Sequence, residues 1–278
     1  MTSKQMKDLL SNMSKKTGIN AQILQRNYMM ERLLERIARS EYKNNFILKG
    51  GMLVAAMVGI DSRSTMDMDA SIKNLELSAD SIRLILEKII TLDIGDDVSM
   101  SIKEINEIRE EFEYSCFRVS LEAQVGNASI PMKVDISTGD SITPREVAYQ
   151  FDLLLENRTI EVWAYNLETI LAEKLETILS RDIANTRMRD FYDVYILVLT
   201  RYRDINMNIL KNALEQTAAR RGTELDYSAL PTDINRILKD EGVARLWTNY
   251  QKKFPYAKDI SWKQVGEKVK VIFMTLCQ

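Results

Sequence analysis

The stretch Asn45-Phe46-Ile47-Leu48-Lys49-Gly50-Gly51-Met52-Leu53-Val54-Ala55-Ala56-Met57-Val58 decides the fold. A short apolar run ends at two glycines, and an apolar segment then continues at helical length. The pattern predicts a strand, a glycine turn and a helix. Glycines at such a turn let backbone approach a phosphate, and the helix that follows offers unpaired N–H groups. A glycine pair alone marks only a turn, so its meaning depends on what surrounds it.

Immediately downstream comes Arg63-Ser64-Thr65-Met66-Asp67-Met68-Asp69, with a strand expected over 67–72. Alternate strand residues point to one face, so Asp67 and Asp69 would stand side by side. Two such carboxylates repel unless a cation lies between them, and magnesium takes carboxylate oxygens while leaving room for substrate phosphates. A third carboxylate, Asp135, lies in Pro131-Met132-Lys133-Val134-Asp135-Ile136, another expected strand. There Lys133, Asp135 and Ser137 share one face and Val134 and Ile136 the other. A neighbouring strand can bring Asp135 beside the pair, with Asp140 as a competitor for the role. Three carboxylates around one or two magnesium ions suit phosphoryl and nucleotidyl transfer. Thr65 reads equally as a phosphate donor or as a turn threonine.

Outward from this centre, residues 22–39 read as an amphipathic helix, with Arg26, Glu31, Arg32, Glu35 and Arg36 on its polar side. A helix is expected over 78–91 and strands over 98–108, 117–125, 130–136 and 160–164. From Asn166, a good helix cap, the chain reads as nearly all helix: 167–179, 188–200, 207–220, 233–253 with a break at Gly242, and 261–276. The expected class is α+β. N-terminal helices (1–44) precede a mixed-sheet core (45–165), and a helical C-terminal domain (166–278) follows.

The 278 residues are 45% hydrophobic and 28% charged, as in ordinary globular proteins. No apolar run is long enough for a membrane span, and Met1 to Ser14 is polar, unlike a signal peptide. Cys116 and Cys277 cannot build a disulfide framework, so a cytoplasmic protein is expected. Histidine is absent. That excludes a Ser-His-Asp or Cys-His couple and any His-ligated metal, leaving carboxylates, lysine, arginine, hydroxyls or an oxygen-bound cation. The net charge of −2 is uneven: +5 over 1–44, −10 over 45–165 and +3 over 166–278. Acidic metal ligands between phosphate-contacting flanks fit this map, and so does an ordinary solvated surface.

The helix after Asn166 carries the apolar stripe Leu167, Ile170, Leu171, Leu175, Ile178 and Leu179, and Lys174 falls within it. A lysine there must snorkel, meet a carboxylate or reach a phosphate. The next helix, Arg187-Met188-Arg189-Asp190-Phe191-Tyr192-Asp193, offers Asp190 and Asp193 one turn apart.

These motifs, in this order over Leu48 to Ile196, resemble the DNA polymerase β-like nucleotidyltransferase superfamily. They look most like its AbiEii toxin branch, the toxin half of abortive-infection toxin–antitoxin systems that includes the MenT toxins. The resemblance departs at Gly51, where many members have serine and this chain keeps only backbone donors. It implies a magnesium- or manganese-dependent enzyme that transfers NMP from an NTP to an RNA acceptor such as the tRNA 3′ end. It also implies growth arrest held in check by a cognate antitoxin. Asp67, Asp69 and Asp135 would hold metal. Gly50, Gly51, Arg63, Thr65 and Lys174 would bind nucleotide, and Asp190 would join Lys174 in the catalytic set. Arg187, Arg189, Arg201, Arg203, Arg220 and Arg221 are basic residues that could meet RNA. Two other readings compete: transfer onto a protein hydroxyl, and a noncatalytic nucleotide-binding module, against which the intact aspartate pair argues.

Overall fold

The computed structural model describes residues 1–109 and 115–277. They divide into two compact units, one formed by residues 1–140 with 146–164 and the other by 141–145 with the chain from 165 onward. The helices of 1–44 fall in the same unit as the sheet.

In the first unit, α1 (Ser3–Thr17) starts at a Thr2 capping box, and α2 (Ala21–Arg39) starts at Asn20, whose side chain accepts from the Gln22 N–H. The apolar run Phe46–Leu48 forms β1 (Phe46–Lys49), and Gly50 turns the chain directly into α3 (Gly50–Val58). Then follow β2 (Met68–Ile72), α4 (Ala79–Ile90), β3 (Val98–Arg109), β4 (Ser115–Val125) and β5 (Ala128–Thr138). Two further strands, β6 (Val147–Asp152) and β7 (Thr159–Ala164), complete a seven-stranded mixed sheet of order β3-β4-β5-β2-β1-β7-β6. β1 pairs antiparallel with β2 and parallel with β7, and β2 pairs parallel with β5. The alternation in β5 buries Ile130, Met132, Val134 and Ile136 and turns Lys133 and Asp135 to the opposite face.

Two expectations are corrected here. β6 was not expected: it is an edge strand whose only buried residue is Phe151, so it carries almost no apolar alternation. The charged side of α2 is not a solvated face either, because Glu31, Arg32, Glu35 and Arg36 are all buried. Arg32 contacts Glu31 at 2.7 Å, Glu35 at 2.9 Å and Glu156 at 3.1 Å. Arg158 forks onto Glu35 at 2.9 and 2.8 Å, and the Leu154 N–H donates to Glu31 at 2.6 Å. Arg36 forks onto Asp96 at 3.0 and 2.6 Å. Mutual pairing lets these charges enter the interior.

The second unit is helical: α5 (Leu167–Arg181), α6 (Met188–Arg201), α7 (Met207–Arg221), α8 (Leu230–Lys239), α9 (Glu241–Lys253) and α10 (Trp262–Leu276). Asn166 caps α5 by accepting from the Thr169 N–H at 2.7 Å, while its amide donates to the Thr143 carbonyl at 2.7 Å. The break expected at Gly242 falls at Asp240, which leaves the helical conformation and caps α9 by accepting from the Val243 N–H at 2.9 Å. Phe191 and Tyr192 of α6 pack on an aromatic core, with Phe191 edge-on to Trp262 at 5.2 Å and Tyr192 against Tyr256 at 4.8 Å between ring centroids. Among the described residues no helix is long and apolar enough to cross a membrane.

Candidate active site

The sheet unit gathers the glycines and all three aspartates. Gly50 has φ +65°, a conformation that costs any residue with a Cβ. A Cβ there would also lie 2.0 Å from the Asp69 Oδ2, so the chain must have glycine for Asp69 to approach the turn. Asp69 answers by accepting a 3.3 Å hydrogen bond from the Gly51 N–H at the start of α3. A carboxylate at a helix N-terminus is favoured by the unpaired N–H groups and the helix dipole.

Gly51 has its own reason. A Cβ at this position would meet the Thr65 Oγ1 at 2.8 Å and a guanidinium nitrogen of Arg63 at 3.1 Å. Both side chains are buried, so they fill the volume that a serine would need. The hydroxyl missing at Gly51 is thus replaced in space by that of Thr65, which donates to the Asp67 carbonyl at 3.1 Å. Arg63 donates to the Ser64 carbonyl at 2.5 Å. In this state both residues shape the turn before β2. The Thr65 carbonyl is itself held by Asn27 of α2 at 2.9 Å.

Asp67 lies one residue before β2, which begins at Met68 rather than at Asp67. Asp69 is directly opposite Asp135 in the parallel β2–β5 pairing. The same row extends both ways, with Lys49 of β1 opposite Asp69 and Arg118 of β4 opposite Asp135. Four paired strands therefore present Lys49, Asp69, Asp135 and Arg118 on one face in the order plus, minus, minus, plus.

The outer cations are both engaged by carboxylates. Arg118 forks onto Asp135, with Nε to Oδ1 at 2.8 Å and a terminal nitrogen to Oδ2 at 2.6 Å. That hydrogen bonding holds the guanidinium charged against its burial, and the charges of Asp135 and Asp67 add to it. Asp67 therefore stands electrically close to the same pair. Lys49 contacts Asp140 at 2.7 Å, and Ser137 also donates to Asp140 at 2.8 Å. Asp140, the competitor of Asp135, is thus occupied elsewhere in the row. Neither Lys49 nor Arg118 was picked out in the sequence. The available signal was that the polar face of β4, which holds Arg118, lies against the polar face of β5, which holds Asp135.

Among the described residues no three His, Cys, Asp or Glu side chains stand in an arrangement ready to hold a metal ion. The donor set still fits a hard cation, because Asp67 and Asp69 are both oxygen donors, and Asp69 lies against the Gly50–Gly51 turn. Magnesium is commonly held by one or two carboxylates with substrate phosphates completing its shell.

In the helical unit, Lys174 of α5 does not snorkel. Its ammonium contacts Asp190 at 2.8 Å and Asp193 at 3.6 Å, both on α6, and Lys174 is 16% exposed. Burial alone would depress its pKa, but the two carboxylates outweigh that cost and raise it above the ordinary lysine value. Arg187 approaches the other Asp190 oxygen at 3.4 Å.

The basic residues suggested for RNA are largely engaged within this unit. Arg221 contacts Glu176 at 2.5 Å and Glu173 at 3.5 Å, fastening α7 to α5. Arg201 contacts Asp204 at 2.5 Å, and Arg189 lies 5.4 Å over the Phe254 ring. Arg221 thus has a packing role of its own between α7 and α5.

Comparison with known proteins agrees with this architecture. A Helicobacter pylori protein described as a nucleotidyltransferase superposes with a TM-score of 0.57 at 13% identity, covering 93% of this chain and 96% of its own. JHP933 from Helicobacter pylori superposes with a TM-score of 0.56 at 13% identity, covering 93% of each chain. At that identity the likeness speaks for the fold. No curated protein matches significantly. The family described as nucleotidyl transferase AbiEii toxin, type IV TA system, matches residues 32–268. With most of its length so matched, the chain belongs to the AbiEii family of nucleotidyltransferase toxins.

Proposed function

We propose that the protein transfers an NMP from an NTP to an RNA acceptor, the 3′ end of tRNA being the acceptor the family reading favours, with magnesium as the metal. Growth arrest would follow, relieved by a cognate antitoxin. The observation that carries the reading is the row in which Asp69 and Asp135 face one another beside the Gly50–Gly51 turn.

In this reaction the acceptor hydroxyl attacks the α-phosphorus. The new O–P bond forms as the bond to the β-phosphate oxygen breaks, and pyrophosphate leaves with that electron pair. Asp135 positions the hydroxyl and takes its proton. Asp67 and Asp69 would hold magnesium, which when bound neutralises charge on the transferring phosphate. The Gly50–Gly51 turn lets backbone approach the phosphates, and the Arg63–Thr65 segment supports it from behind. Lys174 would offset charge on the β- and γ-phosphates, oriented by Asp190. Positioning and electrostatics supply most of the acceleration in such transfers.

The test is incorporation of α-labelled NTPs, each of the four in turn, into total RNA and total protein with magnesium, manganese or EDTA. Label in RNA that requires a divalent cation is the expected result. Label in protein alone would overturn the RNA reading, and label in neither with every NTP and both metals would overturn the proposed transfer.

A further inference from the structure

The Arg118–Asp135 fork joins a reachable cation to an enclosed carboxylate of the candidate site. Arg118 is 40% exposed and Asp135 is 13% exposed. An exposed cross-strand ion pair contributes about 1 kcal/mol or less to a fold, and a bidentate one more. Here both guanidinium edges are aligned on both carboxylate oxygens at 2.6 and 2.8 Å. The partner is the aspartate opposite Asp69, whose carboxylate has to be available for the acceptor hydroxyl. A forked arginine takes the lone pairs facing it and so occupies both oxygens of the carboxylate that the acceptor hydroxyl would meet.

The same fork is the side-chain geometry best matched to a phosphate. A phosphate and a carboxylate compete for it on equal geometric terms, and a half-exposed arginine can exchange one for the other by side-chain rotation alone. Of the two cations in the row, Lys49 is the more enclosed and contacts Asp140. Arg118 is therefore the cation that an incoming phosphate can reach.

We propose that Arg118 is a phosphate-binding residue of the transfer site, held by Asp135 until a substrate phosphate displaces that carboxylate and leaves it free to act. The proposal rests on the nucleotidyl-transfer reading above. The phosphate could belong to the NTP or to the acceptor backbone, and the experiment has an arm for each.

The experiment is a double-mutant cycle on binding, not turnover, using wild type, Arg118→Ala, Asp135→Asn and the double variant. One arm measures affinity for the four α,β-methylene NTPs with magnesium. The other measures affinity for total tRNA in EDTA. In the arm that supplies the phosphate, Asp135→Asn should tighten binding about tenfold by releasing the fork, and Arg118→Ala should weaken it by a similar factor. In the Arg118→Ala background, Asp135→Asn should have little effect. Removing a negative charge near a phosphate would tighten binding equally in both backgrounds, so an additive cycle in both arms overturns the proposal. Failure of the wild type to bind either probe would overturn the transfer reading itself, and the proposal with it.

Should a variant not fold, the ¹⁵N signal of the Arg118 Nε–H in the wild type decides the same question. It should shift when the phosphate probe is added. An unmoved signal at saturating probe would show that the fork never opens.

Discussion

Asp69 and Asp135 stand directly opposite one another on the parallel strands β2 and β5. Paired positions on neighbouring strands point to the same face and lie roughly 5 Å apart, so these two carboxylates would repel without a compensating charge. Each has a donor of its own. Asp69 takes the Gly51 N–H at the head of α3, and Asp135 takes the Arg118 fork. Both contacts come from residues outside the Asp69–Asp135 pair.

Gly50 tests whether that geometry depends on backbone. Gly50→Ala adds left-handed strain of about 1–2 kcal/mol and drives a Cβ to 2.0 Å from the Asp69 Oδ2. Asp69 must move, so transfer should fall by more than about a hundredfold, the scale of losing one transition-state electrostatic contact. Gly18→Ala is the control: Gly18 has φ +74° with nothing within 4 Å, so strain is all it adds. Urea denaturation should show comparable strain in both variants, and transfer assays should show a loss only in the first.

Lys174 has a structural task as well as a proposed catalytic role. Lys174→Ala leaves Asp190 and Asp193 buried without their common partner, a change that costs about 3–5 kcal/mol for a broken buried pair. Adding Asp193→Asn should recover part of the lost stability without recovering transfer. If transfer returned with stability, Lys174 would be a packing cation only. Lys252→Ala, on an exposed position of α9, should alter neither property.

Glu31 should give the stability a pH dependence of its own. Burial pushes its carboxyl up to about 7, against the Leu154 N–H and the Arg32 guanidinium, which favour the anion. A folded pKa above the unfolded value stabilises the protein fully at low pH, and that contribution is lost as pH rises. The contribution should therefore decline between about pH 4.5 and 7. Glu31→Gln should remove this decline, measured as the difference in unfolding free energy from wild type across that window. A parallel pair of curves would contradict it.

Much of this was legible because each signal was local. Phe46–Leu48 is a buried strand before two glycines, and the alternation in β5 places Asp135 opposite Val134 and Ile136. The remainder depends on partners far away in the chain. The buried charges of α2 look solvated until Glu156 and Arg158 arrive to pair with them. Arg118 acquires meaning only through the β4–β5 register. Arg221 looks like an exposed helix-end arginine until α5 supplies Glu173 and Glu176. β6 is nearly silent because an edge strand with a single buried residue has no pattern to read.

The most direct measurement of the central claim is label transfer from α-labelled NTP to RNA by Asp67→Ala and Asp69→Ala beside wild type, each with its thermal unfolding curve. Both variants should lose transfer by about a hundredfold to a thousandfold, with melting temperature unchanged or slightly raised for Asp67→Ala, which relieves repulsion, and slightly lowered for Asp69→Ala, which leaves the Gly51 N–H without that acceptor. Wild-type transfer in either folded variant would contradict the assignment of the aspartate pair as the catalytic centre.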